Sequence, residues 1–124
     1  MSNISTVWMC TILRLAAIYN LLYGAALAIA PQAIFEWLEM PPTPTPMIQC
    51  IGMMVGVYAL AYWLASRDPL GLWPLTLVGF VGKALGVVGF GASYLAGTLP
   101  LKAGLMNLTN DLVWLPFFGL ILWR

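Results

Sequence analysis

The chain has 124 residues, of which 62% are hydrophobic and 7% charged, with no histidine and a formal charge of +1. An ordinary soluble domain carries about 25% Asp, Glu, Lys and Arg, so this chain cannot cover itself with polar surface. It also lacks any basic run of the kind that binds nucleic acid or an anionic surface.

Four apolar stretches of about 20 residues each use up nearly the whole length. They predict one transmembrane domain, residues 1–124, that is all-α: an integral membrane four-helix bundle with the lipid bilayer as its solvent. The opening MSNISTVWMC has no Lys or Arg, and the apolar stretch after it is too long for the core of a signal peptide. The first segment therefore reads as a retained helix, spanning about 7–30 and stopped by Pro31. Next comes PQAIFEWLEMPPTPTP, in which Ile34, Phe35, Trp37 and Leu38 are interspersed with Glu36 and Glu39. This predicts a short interfacial helix and then a stiff, extended Pro/Thr segment between the first and second spans. The second span covers about 47–65 and ends at Ser66-Arg67-Asp68-Pro69; the third covers 73–95 and the fourth 102–123, with Gly97 and Pro100 at the bend between them. Trp8, Trp37, Trp73 and Trp123 all fall near span ends, as an aromatic belt requires.

Lys and Arg near span ends set orientation. Arg67 and Arg124, with Arg14 as an arguable third, lie toward one face and Lys102 toward the other, so both termini are expected to be cytoplasmic. In this topology Cys10 and Cys50 fall near opposite faces, too far apart for a disulfide, and read as buried apolar thiols.

Glycines mark where helices approach one another, because lipid offers little hydrophobic drive between spans and close backbone contact replaces it. Gly79, Gly82, Gly86 and Gly89 form a stripe on the third span, and Gly52 and Gly56 form a G-x-x-x-G on the second. Packing inside the bundle is the plainer reading. The sharper one turns a stripe toward a second copy, another membrane subunit, or a flat lipophilic ligand such as a quinone. Asn20, Tyr23 and Gly24 form a polar patch on the first span and read as glue between helices.

Three charges fall inside the spans. Lys83 and Asp111 lie roughly 15 Å and 14 Å from opposite faces, near the midplane, and Arg14 lies roughly 10 Å deep, at 1.5 Å of rise per residue. A charge at mid-depth costs about 2.5 to 3.5 kcal/mol on insertion scales, so each is expected to find a partner or a wet cavity. Lys83 is expected to pair with Asp111, with Arg14 as the competing cation, Asn107 one turn before Asp111 as a hydrogen-bond donor, and the carbonyl of Leu112 freed by Pro116. Arg14, Lys83, Asn107 and Asp111 thus form the candidate ligand-binding or buried polar centre. Either Arg14 snorkels to the surface or an anionic ligand or partner carboxylate balances the remaining positive charge. The plainer reading of this group is an ion pair that sets helix register.

No catalytic constellation is present: there is no His for acid/base or metal chemistry, no nucleophile elbow and no phosphate loop. Nothing clusters the Met or Cys residues into a metal site.

The segments RLAAIYNLLYGAALAIAP, IGMMVGVYALAYWLASRDPLGLWPLTLVGFVGKALG and NDLVWLPF resemble the small four-helix bacterial membrane proteins of the DoxX-like kind, including a subgroup loosely labelled alkyl hydroperoxide reductase. The similarity spans nearly the whole chain and is most specific around Gly82, Lys83 and Gly86 and around Asn110, Asp111 and Trp114. It implies a compact bundle in a bacterial inner membrane, and for some members a link to thiosulfate oxidation with quinone reduction. The sequence departs from the peroxidase label, because Cys10 and Cys50 have no resolving thiol nearby. The resulting expectation is a non-enzymatic accessory or structural subunit of a larger respiratory or photosynthetic membrane complex. The alternative is a binder or carrier of a small lipophilic or anionic molecule, with a quinone-linked oxidoreductase component as a third reading from the resemblance.

Overall fold

A computed structural model describes residues 4–123; Met1, Ser2, Asn3 and Arg124 lie outside the described residues. The chain is an all-α four-helix bundle whose four spans are each long and apolar enough to cross a bilayer. Helix α1 runs Ile4–Ile29, α2 Pro31–Trp37, α3 Thr45–Ala65 and α4 Trp73–Leu95. The expected interfacial helix is α2, and α4 has the bounds expected of the third span. Proline stands in the first turn of α2, α3 and α4, where the missing N–H would have had no helical acceptor in any case.

Helices α2 and α4 end in the same way. Glu39, at φ 57°, and Gly97, at φ 78°, take the left-handed conformation just past the helix end. The next residue then reaches back, Met40 N–H to the Phe35 carbonyl at 2.9 Å and Thr98 N–H to the Ser93 carbonyl at 2.9 Å. The Pro/Thr segment is tied to α2 by Gln32, whose amide donates to the Thr43 carbonyl at 3.0 Å and to Thr45 Oγ1 at 2.9 Å.

The closest helix pair is α1 with α3, and glycine is the reason. A Cβ built on Gly24 would stand 2.5 Å from the Gly52 carbonyl oxygen and 2.7 Å from the Gly56 nitrogen, and one on Gly52 would stand 2.7 Å from the Gly24 carbonyl oxygen. Gly52 therefore serves contact within the bundle; Gly56 meets Gly24 through its backbone, and a Cβ built on it would meet nothing within 4 Å. On α4, Gly79 lies under the Tyr62 ring, Gly82 under the Tyr58 hydroxyl and Gly86 under the Asp111 carboxylate, whereas Gly89 faces nothing within 4 Å. The α4 stripe receives side chains rather than another backbone.

The fourth span departs from the continuous helix expected over 102–123. It opens as a 3-10 turn, Leu101–Ala103, continues as α5, Gly104–Asn107, widens into a π turn, Leu108–Leu112, and resumes as α6, Leu115–Trp123. The break falls just before Pro116, which has no N–H to donate to Leu112.

Two apolar layers cap the bundle. Toward the end carrying the chain termini, Met9, Leu13, Ala16 and Ala17 of α1 pack with Tyr62 and Ala65 of α3 and Phe118 and Ile121 of α6. Toward the other end, Leu27, Phe35 and Ile48 form a smaller cluster. Outward side chains such as Leu22, Val57, Leu85, Val88 and Leu120 are exposed and apolar, as a lipid-facing surface demands. Trp37, Trp73 and Trp123 are exposed at span ends. Both cysteines are free. Cys50 is exposed on the outer face of α3 and Cys10 only half-buried, which corrects the expectation of two buried thiols: neither points into an apolar layer.

The Gly24 contact is backbone on backbone and cannot yield by a rotamer change. Gly24→Val should destabilise the protein by about 1–3 kcal/mol, whereas Gly91→Ala, whose added Cβ meets nothing within 4 Å, should be neutral within about 1 kcal/mol. Unfolding titrations in bicelles measure both.

Candidate functional site

The polar centre starts from the backbone of the fourth span. In the π turn, Val113 N–H donates to the Leu108 carbonyl at 3.0 Å, five residues back, and Trp114 N–H donates to the Asp111 carbonyl at 3.2 Å, three residues back. In an α-helix these two donors would have gone to Thr109 and Asn110. The two displaced carbonyls find other partners: Thr109 accepts from the Trp114 indole Nε1–H at 2.9 Å, and Asn110 accepts from the Lys83 ammonium. A wide turn of this kind is how a helix in lipid offers a backbone acceptor to another span.

Lys83 reaches this carbonyl from α4 and is 3% exposed. Its Nζ also lies 5.3 Å from the centre of the Tyr62 ring and 5.8 Å from that of Phe118, within the range over which an aromatic face attracts a cation. Tyr62 and Phe118 meet edge to face at 5.1 Å, which fixes those faces. The ammonium is thus held by a carbonyl and two rings.

Asp111 projects from the π turn toward α4 over Gly86; any Cβ at that position would occupy the space of its carboxylate. Asn107 Nδ2–H donates to one carboxylate oxygen at 2.9 Å, as expected, and Asn110 Nδ2–H donates to the other at 3.3 Å. A direct Lys83–Asp111 ion pair was the expected contact, and the structure differs. The only nitrogen–oxygen ion pair within 4.0 Å among the described residues is Lys102 with Glu39, at 3.7 Å. Lys83 is drawn to the freed Asn110 carbonyl one residue away, so the two charges face a common space rather than each other.

That space is a cavity of about 150 Å³ lined by Asn20 of α1, Tyr58 and Tyr62 of α3, Lys83 of α4, and Asn110 and Asp111 of the π turn. Asn20 is 2% exposed; its Nδ2–H donates to the Val55 carbonyl at 3.1 Å, joining α1 to α3. Its Oδ1 has no donor, and neither has Asn110 Oδ1. Both amide nitrogens are already committed to acceptors, so each orphan atom is an acceptor by elimination. Asn110 and Asp111 also line a second cavity of about 340 Å³, with Met40, Leu99, Ala103 and Asn107. This vestibule lies toward the end of the bundle that carries Glu39 and Lys102.

Of the four residues expected at the centre, Lys83, Asn107 and Asp111 come together and Arg14 does not. Arg14 is exposed on the outer face of α1, with its guanidinium 5.9 Å from the centre of the Trp63 ring. Its turn of α1 directs Leu13, Ala16 and Ala17 inward to the apolar layer instead. Tyr58 and Tyr62 were not singled out from sequence, and Asn110 was named only within the resemblance, not as a member of the polar centre. Asn110 sits next to Asp111 in a span with few polar residues, which was a usable signal. The tyrosines carried none, since aromatic residues at helical spacing are ordinary packing. Outside this centre, Tyr19 bonds Thr109 Oγ1 at 2.6 Å, closing α1 against the fourth span.

If Lys83 and Asp111 stabilise each other across the cavity, removing either alone leaves the other charge uncompensated. A double-mutant cycle with Lys83→Met and Asp111→Leu should show the pair of changes costing less than the sum of the singles, with a coupling of about 0.5–3 kcal/mol. Additive losses in bicelle unfolding would show the two charges to be independent.

Compared with models of known protein families, with curated proteins and with solved structures, the chain gives no match.

Proposed function

We propose that this protein is a binder or carrier of a small, uncharged molecule bearing hydrogen-bond donors, held at mid-membrane between Lys83 and Asp111. The observation that carries this reading is the pair of donorless amide oxygens, Asn20 Oδ1 and Asn110 Oδ1, on two sides of a cavity that also holds an ammonium and a carboxylate. Buried acceptors are costly to leave unmade, so the occupant supplies hydroxyl or N–H groups. With Arg14 outside, the centre holds one positive and one negative group, which favours a neutral molecule over the anion considered from sequence.

A cavity of about 150 Å³ admits a single aromatic ring or a small cluster of waters. Among lipophilic ligands, the quinone expectation fits in its reduced form, since a quinol supplies donors and a quinone does not. The DoxX-like resemblance, with its bacterial inner-membrane location and quinone link, belongs to the same reading. Cytoplasmic termini are proposed on the lysine and arginine asymmetry, with Arg14 and Arg67 toward the terminal face and Lys102 toward the other. The vestibule then opens toward the opposite, non-cytoplasmic side.

A second reading, the accessory subunit of a larger membrane complex, has its own observation. The fourth span is less buried than α1, and Leu85 and Val88 of α4 are exposed, so the α4 and fourth-span side retains surface for another membrane subunit or a second copy.

Cysteine accessibility tests the first reading. On a background with Cys10 and Cys50 replaced by Ala, Asn107→Cys in sealed vesicles should react with a membrane-impermeant maleimide from the Lys102 side only. A short-chain quinol should slow that reaction, and Lys83→Met should abolish the protection. Equal protection by the matching quinone, or none by either, would overturn the donor argument. The second reading predicts a stable larger assembly after gentle detergent extraction and mass determination, and a monodisperse monomer would exclude it.

A further inference from the structure

A further hollow lies on the outside of the bundle. A groove of about 440 Å³ runs between α1 and α3, lined by Ala17, Ile18 and Leu21 on one side and by Gly56, Ala59 and Trp63 on the other. Small residues make it: a Cβ on Gly56 would meet nothing within 4 Å, so the groove floor lies open where the two backbones come closest. Every side chain along it is apolar except at the end nearer the chain termini.

That end is Arg14. Arg14, Ile18 and Leu21 fall at i, i+4 and i+7, one exposed face of α1, with the buried Ala17 at its inner edge, so the guanidinium stands one turn beyond the groove, over the ring of Trp63. Arg14 is exposed and has neither an ion pair nor a hydrogen bond among the described residues. The 26 residues of α1 span about 39 Å, longer than the roughly 30 Å hydrocarbon core. Arg14 therefore lies on the terminal-face half of the membrane, within snorkelling reach of the headgroups. From there the groove descends about 10 Å along α1, to Leu21. A cation within snorkelling reach of the headgroups, continued inward by an apolar channel, has the polarity and direction of a phospholipid.

We infer that the α1–α3 groove is a binding site for one anionic phospholipid of the terminal-face leaflet, with its phosphate on Arg14 and one acyl chain lying between Ala17 and Gly56. Charge complementarity selects the headgroup: Arg14 has no carboxylate partner among the described residues, and its planar fork suits a phosphate. The lipid also explains how an arginine whose nearest partner among the described residues is the Trp63 ring is tolerated in this span. The site shares no residue with the Lys83 cavity and stands independently of what that cavity holds.

Native mass spectrometry of the full chain, delipidated and titrated with phosphatidylglycerol or phosphatidylcholine of matched chains, tests this. Wild type should hold one phosphatidylglycerol about fivefold more tightly than phosphatidylcholine, the preference expected of one arginine against an anionic lipid. Arg14→Gln should equalise the two lipids. Gly56→Leu, which fills the groove while leaving Arg14 in place, should weaken both, with helical content by circular dichroism unchanged in both variants. Equal retention of the two lipids by wild type, or an unaltered preference in Arg14→Gln, would overturn the site. So would lipid-independent crosslinking of the groove between two copies, which would make it a protein interface.

Discussion

A lysine ammonium within a span must receive its acceptors from the protein or from a wet cavity, because the hydrocarbon of a bilayer offers none. Here the backbone supplies the first one. The π turn of the fourth span displaces two N–H groups from their α-helical acceptors, and the Asn110 carbonyl so released receives Lys83. Asp111 and its two amide donors project from the same turn, so one irregularity positions the carbonyl, the carboxylate and the unmet Asn110 oxygen together. Had the span continued as an ordinary α-helix, the acceptor for Lys83 would have been spent within the helix itself.

The close α1–α3 pair is the rigid side of the bundle. Gly24 against Gly52 and Gly56 brings two backbones together with no side chain between them, and Asn20 adds a bond across the seam to Val55. The α4 and fourth-span side is built differently: its glycines make hollows for Tyr62, Tyr58 and Asp111 rather than contact surfaces. Small residues thus do two jobs in one molecule, closing a helix pair on one side and leaving room for polar side chains on the other.

The two ends of the polar layer are unequal. Toward the termini, eight buried residues from three helices, among them Leu13, Tyr62 and Phe118, lie beyond Lys83. Toward the Pro/Thr segment the apolar cluster is smaller, and beside it runs the vestibule that shares Asn110 and Asp111 with the inner cavity. Access to the carboxylate is therefore easier from the Glu39 and Lys102 end. This asymmetry arises from where the fourth span breaks, since the irregular Leu101–Leu112 stretch packs less closely than α6.

Composition and spacing by themselves determined the membrane class, the four spans, the short helix after Pro31 and the place of Lys83 and Asp111 in the middle of their spans, because length and polarity along a chain are one-dimensional properties that lipid reads directly. The meeting of Asn107 with Asp111 was also legible, as a separation of four residues places two side chains on one face. What tertiary structure decided was direction and partner. Arg14 and Lys83 look alike as buried cations in sequence, yet α1 turns one outward past Trp63 while α4 turns the other inward to Tyr62. The π turn was equally hidden, since a helix widens by one residue only when packing against a neighbouring span offsets the hydrogen bonds it displaces. Which charge is sheltered, and by which carbonyl, follows from that rotation and that widened turn, both properties of helices in contact and not of any one helix.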